Sequence, residues 1–514
     1  MKQNLPGNLR KIFKPRNIVF GITILLILLF LLIAQKYKIS IDEINSLETT
    51  SIPLGRVYHQ AMDFENQAPL YFLSLKLWRF IDGSVFHAQL LSLIFSIAGL
   101  ITLYKLLSLF VPQRTAAFLS LLFVLNPFFL TSSFIIRNIS FTIFLSLLLL
   151  YSFFKVFYND KKGPVPFVLF SLLSAFALYS HYYLGFLLLS LGITLLIQRK
   201  FSAFISFILC MFFPLISLIP IILDIQKQTN TYADYVFGTP SIKEYIIFLT
   251  SRLENFITDY KWLGLSRTYR FAMRVFLIVA FLFPILFFLF KNFKNLNEKN
   301  KSMLIIFVLL LFFFSSLFVI FNWDFVMPRH VIPLFVLLIL VVMLFSNESH
   351  KKTSKISLYF LFLIIYLVSF LNINKFNVHN GYKDAAGYLA ENYDKNDIII
   401  AYPEAVGRVL KYYSPQNFPA IEMMPLTHDY RESYNINKWI FHSKSEAIPQ
   451  ILDKTRNAPK IFLLTPPWLT ELHGIDFNIE MVDQIFDSLF VKKNTFSYHG
   501  DIVIQQYINN KEAY

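Results

Sequence analysis

The sequence predicts a polytopic α-helical membrane protein that carries a small α/β domain at its C-terminal end. Three observations carry that prediction. Hydrophobic residues make up 56% of the 514 positions and charged residues only 15%, against about 25% charged in ordinary globular domains. Uncharged runs such as 17–35 and 302–321 are at or near the roughly 20 residues that cross a hydrocarbon core. Beyond about Asn374 the long apolar runs stop, and short helix-like and strand-like stretches alternate. A soluble enzyme, a disordered chain and a disulfide-stapled secreted domain are thereby excluded. The single Cys210 lies inside an apolar run and has no second cysteine in the chain to pair with.

Hydropathy gives eleven candidate spans, at about 17–35, 86–110, 115–130, 134–157, 165–180, 182–198, 201–223, 272–290, 302–321, 328–346 and 356–372. Lys11, Lys14 and Arg16 precede the first, as in a signal peptide. That run exceeds the about 7–15 apolar residues of a signal core, and more spans follow, so an uncleaved signal-anchor is expected. The arm 1–16 is basic, and every second connection after it is short and basic: Arg114; Lys161 and Lys162; Arg199 and Lys200; Lys291, Lys294, Lys299 and Lys301; Lys351, Lys352 and Lys355. The alternate connections comprise tight turns at Asn126-Pro127 and His181, long loops at 36–85 and 224–271, and the short stretch 322–328. Short cytoplasmic loops collect Lys and Arg. With an odd number of spans, this places the N-terminus inside and residues 373–514 outside a cytoplasmic (inner) membrane.

Charge supports that division. The formal net charge of +15 resolves into +18 for residues 1–372 and −3 for 373–514. The excess base belongs to the membrane module, in contact with membrane lipids, and no nucleic-acid partner is expected. In the C-terminal part, helix-like stretches at 382–393, 404–413 and 445–456 alternate with β-branched or apolar runs at 398–402, 461–465 and 502–507, the pattern of a small α/β domain. No glycine-rich nucleotide-binding pattern is present there, and the whole chain has 15 Gly.

The expected spans contain no Asp or Glu, whereas ion-coupled transporters usually keep carboxylates or histidines within theirs. The acids gather instead in the first long loop: Asp42, Glu43, Glu48, Asp63, Glu65 and Asp82. Asp42 and Glu43 follow the first span so closely that they belong near the membrane surface. Partial desolvation there makes a carboxylate a better proton acceptor. The segment PLYFLSLKLWRFI (69–81) mixes apolar residues with Lys76 and Arg79 and reads as an interfacial helix with its bases toward headgroups. Arg137 near the start of the fourth span and Arg329 at the start of the tenth suit a phosphate held by bidentate hydrogen bonds. His181, at a turn on the same side, is a candidate metal or phosphate ligand. The inner loops are too short for a nucleotide-sugar or ATP site, so group transfer would occur outside, from a donor embedded in the outer leaflet with a phosphate leaving group.

These stretches resemble, in order, the protein O-mannosyltransferase and aminoarabinose-transferase superfamily of GT-C fold glycosyltransferases. Asp42-Glu43 stands where that family has an acidic pair after its first span. ENQAPLYFLSLKLW (65–78) is similar to its Pro-Leu-Tyr segment, with Gln67-Ala68-Pro69 where a His or Glu and a second Pro often stand. NPFFLTSSFIIRNISFTIFL (126–145) resembles its third-to-fourth span passage, with Arg137 at one of its arginines. ALYSHYYLGFLLL (177–189) resembles its fifth-to-sixth span turn. MPRHVIPLF (327–335) resembles its late Arg-Tyr-x-x-Pro element, with Arg329 at the arginine and His330 replacing Tyr.

The resemblance implies a GT-C module over 17–372 and an inverting hexosyl- or pentosyltransferase. A polyprenyl-phosphate-linked sugar would be the donor, and a hydroxyl on a glycan, lipid or protein the acceptor. It implies Asp42 as general base, Glu43 as a residue that orients the acceptor or shares that role, and Arg137 and Arg329 as stabilisers of the departing phosphate. Some relatives hold a divalent metal cation; here Glu65, Gln67 and His181 are the acceptor or metal candidates, without a full ligand set. Two other classes stay open on sequence alone: a lipid-carrier flippase or other transporter, and a non-catalytic membrane assembly protein.

Overall fold

The structure is a computed structural model that describes residues 14–34, 37, 39–158, 163–222, 224, 293–321, 328–348, 366, 381–414, 418–425, 440–467, 471–472, 475–498 and 501–509, with the backbone alone at 318–321, 328–329, 345–348, 471–472 and 475. The chain forms two compact units. The first comprises Met1–Lys36, Thr50–Met62 and Gln67–Phe376; the second comprises Tyr37–Thr49, Asp63–Asn66 and Asn377–Tyr514. Part of the first long loop, including the acidic pair, therefore belongs to the same unit as the C-terminal region, whereas the sequence division falls at 372/373.

Nine of the eleven expected spans coincide with helices of the first unit; 272–290 and 356–372 lie outside the described residues, Tyr366 apart. Pro15–Ala34, Val85–Leu107, Ile139–Phe157 and Glu298–Leu317 are long and apolar enough to cross a membrane, while Gln113–Val124, Val165–Ser180, Leu184–Ile197, Phe201–Ser217 and Ile332–Leu344 are shorter apolar helices. The expected third span is interrupted. Its helix ends at Val124, and Asn126 then caps a new turn, Pro127–Ser132, by accepting the Phe129 amide on its side chain with Pro127 at the first helical position. Pro is preorganised there and has no amide to leave unpaired.

Two features make these helices suited to lipid. Their hydroxyls bond back onto the preceding turn, as in Thr102 to Ala98, Thr142 to Asn138, Ser146 to Thr142 and Thr194 to Ser190, so polar groups are satisfied without water. Outward stripes stay apolar: Val165, Val168, Leu169, Leu172 and Phe176 on one helix, and Ile205, Leu209, Phe212 and Ile216 on another, are all exposed. A soluble monomer rarely shows so much contiguous apolar surface. Helices approach closely where side chains are small. A Cβ on Gly192 would come within 2.8 Å of the Phe207 ring, so the pairing of Leu184–Ile197 with Phe201–Ser217 depends on glycine.

The first long loop holds three helices, Ile41–Thr49, Leu54–Asp63 and Leu70–Arg79, where the sequence suggested only the last. Leu70–Arg79 is tied to protein at its C-terminal end. Trp78 stacks on His87 at 4.7 Å and donates to the His87 carbonyl at 2.7 Å. Arg79 donates to the Thr50 hydroxyl at 2.5 Å and to the Gly83 carbonyl at 3.3 Å.

The second unit is built on a five-stranded sheet of order β2-β1-β3-β7-β6. The strands are β1 (Ile398–Ala401), β2 (Ile421–Met423), β3 (Lys460–Thr465), β6 (Val491–Tyr498) and β7 (Ile502–Ile508), with the small pair β4 (Glu471–Leu472) and β5 (Ile475–Asp476) apart. β1 runs parallel to β2 and β3, and β7 runs antiparallel to β3 and β6. Helices Gly381–Asn392, Glu404–Tyr413, Lys444–Thr455 and Ile479–Leu489 accompany it. Ile400, Leu463, Ile451, Phe486 and Tyr507 are among the side chains of its core. Tyr402 stacks on Phe441 at 5.4 Å and donates its hydroxyl to the Phe477 carbonyl at 2.7 Å; burial pushes that phenol up to about 12.

Candidate functional site

The second unit carries the acidic pair at the start of Ile41–Thr49. Ser40 precedes this helix, and Glu43, three residues on, reaches back to it. The Glu43 carboxylate accepts the Ser40 amide and the Ser40 hydroxyl, each at 2.9 Å, while the Glu43 amide lies 3.4 Å from the Ser40 hydroxyl oxygen. This is a capping box, and it leaves Glu43 fully buried. Asp42 lies beside it in the first turn, half-buried, at the helix end whose exposed amides favour an anion. Glu65, 8% exposed, accepts a 3.4 Å hydrogen bond from the Thr49 hydroxyl within the same unit.

The first unit carries the remaining sequence-predicted residues. Arg137 sits in the irregular link between Pro127–Ser132 and Ile139–Phe157 and is 6% exposed, enclosed by protein and not snorkelling to water. The link is fixed by the Ser92 hydroxyl, which donates to the Ile135 carbonyl at 2.6 Å, and by buried Phe134 and Ile136. Arg329 lies in the short 3-10 turn Pro328–Val331 that leads into Ile332–Glu348; its side chain lies outside the described residues. Phe128 meets Phe335 edge-on at 4.8 Å, so the elements next to Arg137 and next to Arg329 touch.

His181 ends the Val165–Ser180 helix in an extended conformation, 6% exposed, with its amide bonded to the Ala177 carbonyl. Its ring lies 6.3 Å from that of His330, and Tyr183 stacks on His330 at 4.7 Å with planes 10° apart. The structure thus brings the His181 turn against the turn that carries Arg329. Tyr182 donates its hydroxyl to the Met62 sulfur at 3.2 Å, tying the end of Leu54–Asp63 to the same turn. The Tyr183–His330 stack has no signal in either local pattern. Gln67 is half-buried, its backbone amide bonded to the Ala61 carbonyl and its buried side-chain nitrogen without a hydrogen-bond partner.

Among the described residues no group of three or more His, Cys, Asp or Glu is placed to hold a metal ion.

Among the described residues, four helices long and apolar enough to cross a membrane, with shorter apolar helices beside them, give the first unit the make-up of a helical membrane protein. No family model matches the chain, and no curated protein does. Solved structures supply the likeness. ArnT from Cupriavidus metallidurans in the apo state matches over 95% of this chain and 98% of its own, at 10% identity and a TM-score of 0.60. The same protein bound to undecaprenyl phosphate matches over 95% and 97%, at 10% identity and a TM-score of 0.57. The Archaeoglobus fulgidus oligosaccharyltransferase in the apo form matches over 98% of this chain and 75% of its own, at 8% identity and a TM-score of 0.50. Both proteins have the GT-C fold, and this chain shares it.

Proposed function

We propose that the chain is a membrane glycosyltransferase. It transfers a sugar from a polyprenyl-phosphate donor to an acceptor hydroxyl, on the outer face of the cytoplasmic membrane and with inversion at the anomeric carbon. The observation that carries this reading is the fold likeness along nearly the whole chain to ArnT, one structure of which holds undecaprenyl phosphate.

In the proposed reaction the acceptor oxygen forms a bond to the anomeric carbon as the bond from that carbon to the lipid phosphate oxygen breaks. The acceptor proton passes to the Asp42 carboxylate, because an alcohol is a poor nucleophile until its proton is being removed. The electron pair of the broken bond leaves on the phosphate. Arg137 and Arg329 oppose the charge growing there, the kind of preorganised electrostatic stabilisation that dominates many enzymes. A buried guanidinium at Arg137 supports this role, since a cation withdrawn from water acts more strongly on an anion brought to it. Glu43 serves here by capping the helix that presents Asp42.

The test is Asp42→Asn in membranes, with mass spectrometry of the envelope glycoconjugates. Wild-type protein adds a sugar to one class of conjugate, and the variant, at equal abundance, loses that product by a hundredfold or more. Undiminished product removes Asp42 from the chemistry.

A further inference from the structure

A helix of nine residues is too short to hold its shape alone, since isolated helices below about 12–15 residues are marginal in water. Ile41–Thr49, which presents Asp42, therefore depends on what it docks against. Within its unit that is the Glu404–Tyr413 helix, 360 residues away in sequence. This second helix lies close on the sheet because residue 407 is glycine: a Cβ there would come within 2.9 Å of the Ala401 Cβ and 3.2 Å of Ile421 Cγ2.

Two of its side chains grip the shorter helix on either side of Asp42. Arg408, 4% exposed, donates from Nη2 to the Asn45 side-chain oxygen at 2.7 Å and pairs with the Glu48 carboxylate. Its guanidinium carbon also lies 5.9 Å from the ring centre of Phe64, a buried residue. Asn45 and Glu48 are three apart and so share a helix face. At the other end the Tyr413 hydroxyl accepts the Ile39 amide at 2.7 Å, one residue before the cap Ser40. Asp42 thus sits on a segment fixed before its first turn and again in its second.

We propose that Arg408 and Tyr413 are positioning residues for Asp42, so that the C-terminal sheet unit works as the mount of the general base. The inference rests on the reading of Asp42 given above. Its physical basis is that a displacement of about 1 Å in a reacting group can cost on the order of a hundredfold in rate, and that such groups need supporting residues with locked rotamers.

The experiment uses the full-length protein in nanodiscs and in membranes, as wild type, Tyr413→Phe, Arg408→Lys and the charge swap Arg408→Glu with Glu48→Arg. Hydrogen exchange is followed at residues 43–49 and, as a control for the fold, at Ile461–Leu464 of β3. Tyr413→Phe and Arg408→Lys speed exchange at 43–49 about tenfold or more and leave β3 unchanged. They lower sugar addition about tenfold or more while binding of undecaprenyl phosphate, the probe for the lipid arm, stays the same. The charge swap restores part of both protection and transfer.

Unchanged exchange at 43–49 overturns the mount, as does equal loosening of β3, which would make these residues mere supports of the sheet unit. Loosened exchange with undiminished transfer overturns the positioning role and leaves the enzymatic reading intact. A wild-type protein that transfers nothing overturns the enzymatic reading and the positioning role with it, while the exchange data still decide whether the clamp exists.

Discussion

Glu43→Gln separates a helix cap from a participant in the chemistry. One carboxylate oxygen of Glu43 takes both the Ser40 amide and the Ser40 hydroxyl at 2.9 Å, and the residue is fully buried. Glutamine has the same shape and keeps one acceptor oxygen, so both contacts can re-form; what disappears is the charge. Hydrogen bonds to a charged group are worth roughly 1 kcal/mol more than neutral ones, and an anion at a helix N-terminus adds about 0.3–1 kcal/mol. Two such bonds plus the dipole give a gross loss of about 2–3 kcal/mol. Relief from burying a carboxylate offsets part of it, leaving about 1–2 kcal/mol. Ser40→Ala, which removes the reciprocal partner, costs about 1 kcal/mol by the usual cap substitution. The two substitutions act on one interaction, so the double variant falls short of their sum. Thermal unfolding of the full chain measures the stability loss, and conjugate mass spectrometry at equal abundance measures transfer. The expected result is lowered stability with at least half the wild-type transfer. Unchanged unfolding with transfer down a hundredfold would refute the capping argument and place Glu43 in the reaction.

Two further predictions concern the sheet unit. Gly407→Ala drives a methyl into the Ala401 and Ile421 side chains and lowers the stability of that unit by about 1–3 kcal/mol, as overpacking does; limited proteolysis of the full chain reads the loss. Asp483 is held above the ordinary carboxylate range by burial, with the Gln505 side-chain amide, which donates to it at 2.8 Å, pulling the other way. A raised folded-state value means the protonated form is favoured on folding, so its contribution is complete below the reference 3.8 and is lost as pH rises through the folded value. Asp483→Asn therefore raises the melting temperature at pH 7 and leaves it unchanged below pH 3.8; a variant less stable at pH 7 contradicts this.

Apolar runs and β-branched stretches were legible because each reports local burial. The helices at Gly381–Asn392, Glu404–Tyr413 and Lys444–Thr455 begin and end within a residue or two of where hydropathy put them. β6 was not legible: Val491–Tyr498 is an edge strand, largely exposed and carrying Lys492 and Lys493, and charge on an edge discourages pairing with other chains while erasing the alternation that announces a strand. The cap on Ile41–Thr49 was present in the sequence as Ser40-x-x-Glu43, the S/T-x-x-E signature, but a pair of acids beside a span reads first as chemistry. The Arg408 contacts to Asn45 and Glu48 and the approach of His181 to His330 are long-range pairings, and one sequence holds no trace of them.

The different roles that the proposed reaction gives Asp42 and Arg137 follow from dielectric. Among the described helices of the first unit, several hydroxyls return their hydrogen bond to their own helix, which costs little where water is absent. Arg137 is different: a fixed charge, 6% exposed, at the start of a membrane-length helix. Withdrawing such a cation from water is expensive, and intramembrane charges are as a rule kept where an anion or a pathway uses them. Asp42 is placed the other way, half-buried on a capped helix of the sheet unit, where a carboxylate can be ordered without deep burial. A reaction that needs a proton acceptor for an alcohol and a cation for a departing phosphate requires this asymmetry. One group must exchange protons, so it needs partial access to solvent, and the other must hold its charge at every pH, so it can be enclosed. Arginine satisfies the second demand and lysine would not, because lysine loses its proton readily when buried. Arg137→Lys should therefore impair sugar addition nearly as much as Arg137→Ala, and full activity in the lysine variant would argue against a phosphate at this position.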